Sequence, residues 1–153
     1  MSQSIAGGID DALTRLMKDV ERQQNLTIAE LTEISMAGAE VYEKDLRDET
    51  RAKHYSSHKD SKYGHMADHI TKWVGSKGKN KSDTDFSGVV TVGWDNWFHG
   101  MNAMRLNDGT RKISADHFVD NLRCNPSLRQ AVFEAEQKKY KEIMDRKRSQ
   151  GGD

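Results

Sequence analysis

The sequence predicts an α+β fold: N-terminal helices, a small antiparallel β-sheet with a long hairpin tip, and a long C-terminal helix. Three observations predict it. Apolar residues recur at three- and four-residue steps in both the first and last thirds of the chain. Two short runs between them, ITKWVG and GVVTVGW, are rich in β-branched and aromatic residues and bounded by glycine. A T-x-x-E box and an Asn-Pro pair mark two helix starts.

Taken in order, Ile5, Ile9, Ala12, Leu13, Leu16, Met17 and Val20 define an amphipathic helix over roughly residues 4–22. Thr27 and Glu30 form the capping box of a second helix, with Leu26 and Leu31 placed as a hydrophobic staple. Leu31, Ile34, Val41, Tyr42 and Leu46 carry its apolar face to about residue 52. Residues 53–64 are polar and lose the period, so they are expected to link. The strands 70–75 and 88–94 enclose twelve polar residues, expected to form a mobile basic tip. Residues 97–106 return to helical spacing, and Gly109 stands where a residue of positive φ would stop that helix. Arg111-Lys112-Ile113 is expected as an extended connector, followed by a short helix over 115–123 with Ser114 as its cap. Asn125 caps the last helix and Pro126 opens it.

The 153 residues suffice for one domain, 1–153, with the helix in 1–25 peripheral, 76–87 a mobile loop and 148–153 a disordered tail. Hydrophobic residues make up 35% and charged residues 31%, and mean hydropathy is −0.89. Such a polar chain has a small core and is expected to complete it against copies of itself or partners. Cys124 is the sole cysteine, so no internal disulfide forms, and synthesis in a reducing cytoplasm is expected. The N-terminus lacks the pattern of a signal peptide, and no apolar run reaches the ~20 residues that span a bilayer; no membrane partner is expected.

Net charge is zero but segregated. Residues 1–50 hold 5 Lys/Arg against 11 Asp/Glu, a net of −6, while residues 51–81 hold 8 against 2, a net of +6. The two regions are expected to pair between stacked copies or neighbouring proteins.

His54 and His58 lie four apart, as do His65 and His69. On a helix such pairs can share a metal, but the glutamate of H-E-x-x-H is missing. The second pair runs into a strand, where residues four apart stand ~13 Å from each other. No metal or other cofactor is therefore expected. Ser114 and His117 are three residues apart, and the capping role accounts for the serine. No G-x-S-x-G, phosphate-binding loop or G-x-G-x-x-G occurs, so no catalytic residue is assigned. Lys77, Lys79 and Lys81 in the hairpin tip suit contact with phosphates, and Trp73 and Trp94 suit a core or an interface better than base stacking.

GHMADHI (64–70), GVVTVGW (88–94), WFHGMNAMRLNDGT (97–110) and KISADHFVDNLR (112–123), in this order and spacing, resemble the gene-product-ten family of HK-type long-tailed bacteriophages. Members of that family are small structural proteins of the neck or tail. The resemblance covers about residues 28–147 and is strongest over 88–123. It departs at His69, where the family often has Ser, and at Gly100; residues 4–22 have no counterpart.

The resemblance implies a non-enzymatic virion part at the head–tail junction, made in the host cytoplasm. It would assemble as a ring, with six copies as one expected count, between head-closure and tail-terminator proteins around passing DNA. The alternatives are a tail terminator capping the tail tube, a DNA-binding module built on residues 51–81, and a small histidine-rich metal-dependent enzyme. The partner surface expected on the ring reading comprises Trp97, Phe98, Asp108, Thr110, Arg111 and Lys112, with Lys77, Lys79 and Lys81.

Overall fold

The computed structural model describes residues 13–18, 20–21, 25–57, 62–75 and 88–150. Residues 13–18 and 20–21 are helical, followed by α1 (Ile28–His54), a 3-10 helix (Met66–His69), β1 (Ile70–Val74), β2 (Val90–Trp94), α2 (Trp97–Asp108), α3 (Phe118–Cys124) and α4 (Pro126–Gln150). The fold is α+β: helices gathered about a two-stranded antiparallel sheet. Among the described residues no helix is long and apolar enough to cross a membrane.

The start of α1 follows from its sequence. Thr27 N donates to Glu30 Oε2 at 2.8 Å and Glu30 N donates to Thr27 Oγ1 at 3.2 Å, so both halves of the capping box form. The same Glu30 carboxylate meets Lys147 Nζ at 2.8 Å, and that ammonium also donates to Asn25 O at 3.0 Å. The Lys147 hydrogen bond, then those from Thr27, hold Glu30 below the usual carboxylate range. This long-range pair explains a departure from the expected disordered tail. α4 runs on through Gln150, because its last turns lie antiparallel against the start of α1; only 151–153 fall outside the described residues. Further along the pair, Gly38 lets the two helices close up: a Cβ there would stand 2.5 Å from Glu136 Oε1.

In the sheet, Ile70 faces Trp94 and Val74 faces Val90. The hairpin is therefore present as expected, while its tip at 76–87, with Lys77, Lys79 and Lys81, lies outside the described residues. The sheet's inner side, α1, α3 and α4 enclose the core: Leu46, Ile70, Ala103, Phe118, Leu122 and Leu128, with Trp94, Met66 and Val92 packed on it. Phe118 is fully buried and meets the His54 ring edge-on at 4.7 Å. Trp94 belongs to this core, and its indole N–H donates to Met66 O at 3.1 Å. That bond fixes the 3-10 turn over residues 66–69, which the strand pattern of the sequence did not anticipate.

Charge segregation resolves partly within the chain rather than between chains. Lys72 on β1 reaches Glu43 Oε2 at 2.7 Å, and Arg47 Nη2 donates both to Glu43 Oε1 at 2.7 Å and to Ile70 O at 2.9 Å. Arg51 likewise meets Asp68 at 2.7 Å. Acidic α1 thus docks the basic strand that follows it. Burial pushes Glu43 up, but hydrogen bonds and charge from Lys72 and Arg47 outweigh it and hold the carboxyl below its ordinary range.

Because the folded value is depressed, this contribution is complete above the ordinary carboxylate range and is lost as pH falls through the folded value, below ~4.3. Glu43→Gln should therefore cost about 1–2 kcal/mol at pH 7 in urea unfolding. The difference from the parent should shrink steadily below pH 4. An equal deficit at pH 7 and pH 3 would show that Glu43 acts through packing instead.

Candidate functional site

α2 turns two polar side chains inward beside Ala103 and leaves three large apolar ones exposed. Its start is fixed by Asn96, whose side chain accepts from His99 N at 2.9 Å. Residues at four-residue steps then share a face, and the buried face is His99, Ala103 and Asn107. Two of these three are polar. The apolar residues Trp97, Phe98 and Met104 are exposed instead, Trp97 to 75%.

Each buried polar residue is held by specific bonds. His99 is 3% exposed, and its Nε2 lies 2.8 Å from Tyr63 O. A carbonyl only accepts, so Nε2 carries the proton. The His99 ring stacks on His69 at 4.5 Å, and His69 Nδ1 lies 3.1 Å from both carboxylate oxygens of Asp95. His99 therefore tethers the segment before the 3-10 helix to α2.

Asn107 ties α2 to α3. Its Oδ1 accepts from Val119 N at 3.0 Å and Asp120 N at 3.2 Å, capping a helix that begins eleven residues later. Its Nδ2 donates to Asp108 Oδ1 at 2.7 Å and to Asp120 Oδ2 at 2.8 Å, and its backbone carbonyl accepts from His117 N at 3.1 Å.

This arrangement corrects the expected start of α3. The helix begins at Phe118, with His117 at the cap position in the left-handed region at φ 53° and ψ 29°; Ser114 does not cap it. The cap comes through space from Asn107, and from Asp116 Oδ1, which accepts from Phe118 N at 3.1 Å.

The expected extended connector is also corrected. Gly109 does take a positive φ, 80°, and a Cβ there would lie 2.9 Å from Ala115 N. After it, Thr110 N donates to Ile113 O at 2.8 Å, and Thr110 Oγ1 accepts from Lys112 N at 3.2 Å and Ile113 N at 3.1 Å. Residues 110–113 are a closed turn with Arg111 and Lys112 exposed at its tip.

Phe98 stacks on Tyr63 with ring centres 4.7 Å apart and planes 9° apart, and Lys62 Nζ stands 4.9 Å from the Tyr63 ring centre. A cleft of about 370 Å³ joins this pair to the turn, lined among others by His65, Phe98, Arg105 and Ile113. Of the expected surface residues, Trp97 and Phe98 are exposed at the start of α2 and Arg111 and Lys112 beyond its end, whereas Thr110 and Asp108 spend their side-chain bonds on the turn between α2 and α3.

Tyr63, His65 (stacked on Tyr55 at 4.1 Å) and Ile113 were not anticipated. Aromatic residues inside the polar segment 53–64 were the available signal. Ser114 and His117 form no pair; the His117 ring instead lies 3.8 Å from Asp120. Among the described residues no three His, Cys, Asp or Glu side chains are grouped to hold a metal ion, and His58 lies outside them.

No family profile, no curated protein and no solved structure matches this chain. What the fold and the site define is an α+β protein in which α2 buries His99 and Asn107 beside the core residue Ala103 and leaves Trp97, Phe98 and Met104 exposed.

Replacing Asn107 with alanine removes its cap of α3 and leaves the N–H groups of Val119 and Asp120 without their side-chain acceptor. The expected cost is roughly 2–4 kcal/mol, measured by chemical denaturation. A loss under about 1 kcal/mol would mean that water replaces the amide and that Asn107 does not organise the turn.

Proposed function

We propose that the protein is a structural part of a long-tailed phage virion, a neck or tail-completion protein that assembles as a ring at the head–tail junction. The observation that carries the proposal is the exposure of Trp97 and Phe98 on α2. A helix that places Trp97 in water while burying His99 and Asn107 is costly for an isolated chain, since exposed aromatic surface gains nothing until another surface covers it. Interfaces are enriched in Trp, Tyr, Phe and Arg, with a few such residues carrying most of the binding energy. Trp97, Phe98, Tyr63 and Arg105 have that composition, and Arg111 and Lys112 supply a basic rim.

The resemblance of residues 88–123 to phage neck and tail components gives this surface a setting. In it, head-closure and tail-terminator proteins are the partners, and DNA passes through the ring. The action is mechanical and cohesive. Copies and partners bury one another's apolar surface, and the basic rim orients acidic neighbours. A tail terminator is the nearest alternative within the same setting.

Phages carrying Arg111→Ala with Lys112→Ala, or Trp97→Ala, should incorporate the protein at least ~10-fold less. The purified variants should melt within about 2 °C of the parent, as surface changes do. Undiminished incorporation of all the variants would remove this face from the assembly. Deleting the gene should leave tails of normal length that fail to join heads, whereas tails of uncontrolled length would assign the terminator role instead.

A further inference from the structure

Among the described residues, an exposed apolar stripe and an apolar groove match each other. The first is the helix at residues 13–18 and 20–21. Leu13, Leu16, Met17 and Val20 follow three- and four-residue steps and are each between 42% and 65% exposed. By helical spacing they form one stripe about 100° wide.

The second surface is a groove of about 400 Å³ between α1, β2 and α4. Its floor is the small-residue face Ser35, Gly38 and Ala39, and its walls include Val92, Leu128 and Val132. Glu136 stands at the Gly38 end, and Arg129 also borders the groove.

We propose that the apolar stripe of residues 13–21 seats in this groove of a second copy, so that the chain assembles head to tail. Both halves of the contact occur on every chain, and a heterologous match of that kind repeats from copy to copy, closing into a ring when the rotation between copies allows and extending as a filament otherwise. The chemistry agrees: a stripe of Leu, Met and Val meets aliphatic walls.

Charge agrees as well. Arg129 makes no ion pair among the described residues, and Glu21 falls at the border of the stripe, ~90° from its centre by helical spacing, where it can meet Arg129. Arg15 and Lys18 fall on the opposite side. The helix does not occupy the groove of its own chain, since its apolar side chains are exposed. Asn25, just beyond it, is held by Lys147 at the far end of the α1–α4 pair.

The proposal deepens the ring reading by naming its contact, and rests on it only in expecting copies to associate. Its test uses full-length chains: Leu16→Asp spoils the stripe, and Ser35→Trp fills the groove floor. Val89→Asp, at an exposed position lining the groove, serves as a second groove variant should the tryptophan disturb the fold. Circular dichroism checks that each variant is folded, and sedimentation velocity reads the assembly state.

The parent should associate, while each variant alone should associate at least ~10-fold more weakly. A mixture of Leu16→Asp and a groove variant should form a one-to-one pair, because one intact helix and one intact groove remain. If groove variants assemble like the parent, or the mixture stays monomeric, the docking is overturned and ring assembly through other surfaces still stands. A monomeric parent, whether or not its helix folds back into its own groove, also overturns the docking. The neck reading is then judged separately by incorporation into particles.

Discussion

The amide of Asn107 is the interaction on which the outward-facing half of the molecule depends. One buried side chain caps α3, bonds two neighbouring aspartates, and ends α2 at the point where the chain must turn. A buried amide is tolerated only when its donors and acceptor are satisfied, and here each has a partner. That requirement fixes how α2 is rolled. With Asn107 and His99 inward, Trp97 and Phe98 have to face out, and the turn from Gly109 to Ile113 has to project Arg111 and Lys112. The surface assigned to assembly is thus a consequence of a polar network beneath it.

The opposite side of the molecule is organised by charge at close range. Glu43 accepts from Lys72 and Arg47, and Glu30 from Lys147, so α1 gathers β1 on one side and the end of α4 on the other. These pairs are partly buried, which strengthens them relative to pairs in open water but raises the desolvation cost that they offset. Their contribution is therefore largely to orientation. They set the register in which Gly38 meets Glu136 and in which the aliphatic groove between α1, β2 and α4 opens. Burial without a cationic partner pushes the Glu136 carboxyl up, consistent with a groove wall that lacks its complement.

Helix and strand starts marked by local bonds were legible in the sequence, whereas the closed turn at 110–113 and the contacts between distant residues were not. Thr27 with Glu30, and Asn125 with Pro126, announce helix starts because the bonds they make span three residues or fewer. The alternation in GVVTVGW announces a strand for the same reason. The start of α3 was misplaced because its cap comes from Asn107, whose spacing from Val119 and Asp120 is too long for any capping motif. The length of α4 was underestimated because Lys147 is held by Glu30, more than a hundred residues away. At the candidate site, Trp97, Phe98, Arg111 and Lys112 were legible as surface chemistry. The burial of His99 and Asn107 was not legible, since it rests on bonds to Tyr63 and to the start of α3 that no periodicity rule weighs.

The most direct measurement of the central claim is the solvent exposure of Trp97 before and after assembly. Hydroxyl-radical footprinting with mass spectrometry reads it residue by residue in the free chain and in assembled particles. The account predicts strong oxidation of Trp97 in the free chain and protection of at least ~5-fold in particles, as expected for a residue at the dry centre of an interface, while core Trp94 reacts weakly in both. Equal oxidation of Trp97 in both states would contradict it, leaving α2 with an exposed face that no partner covers.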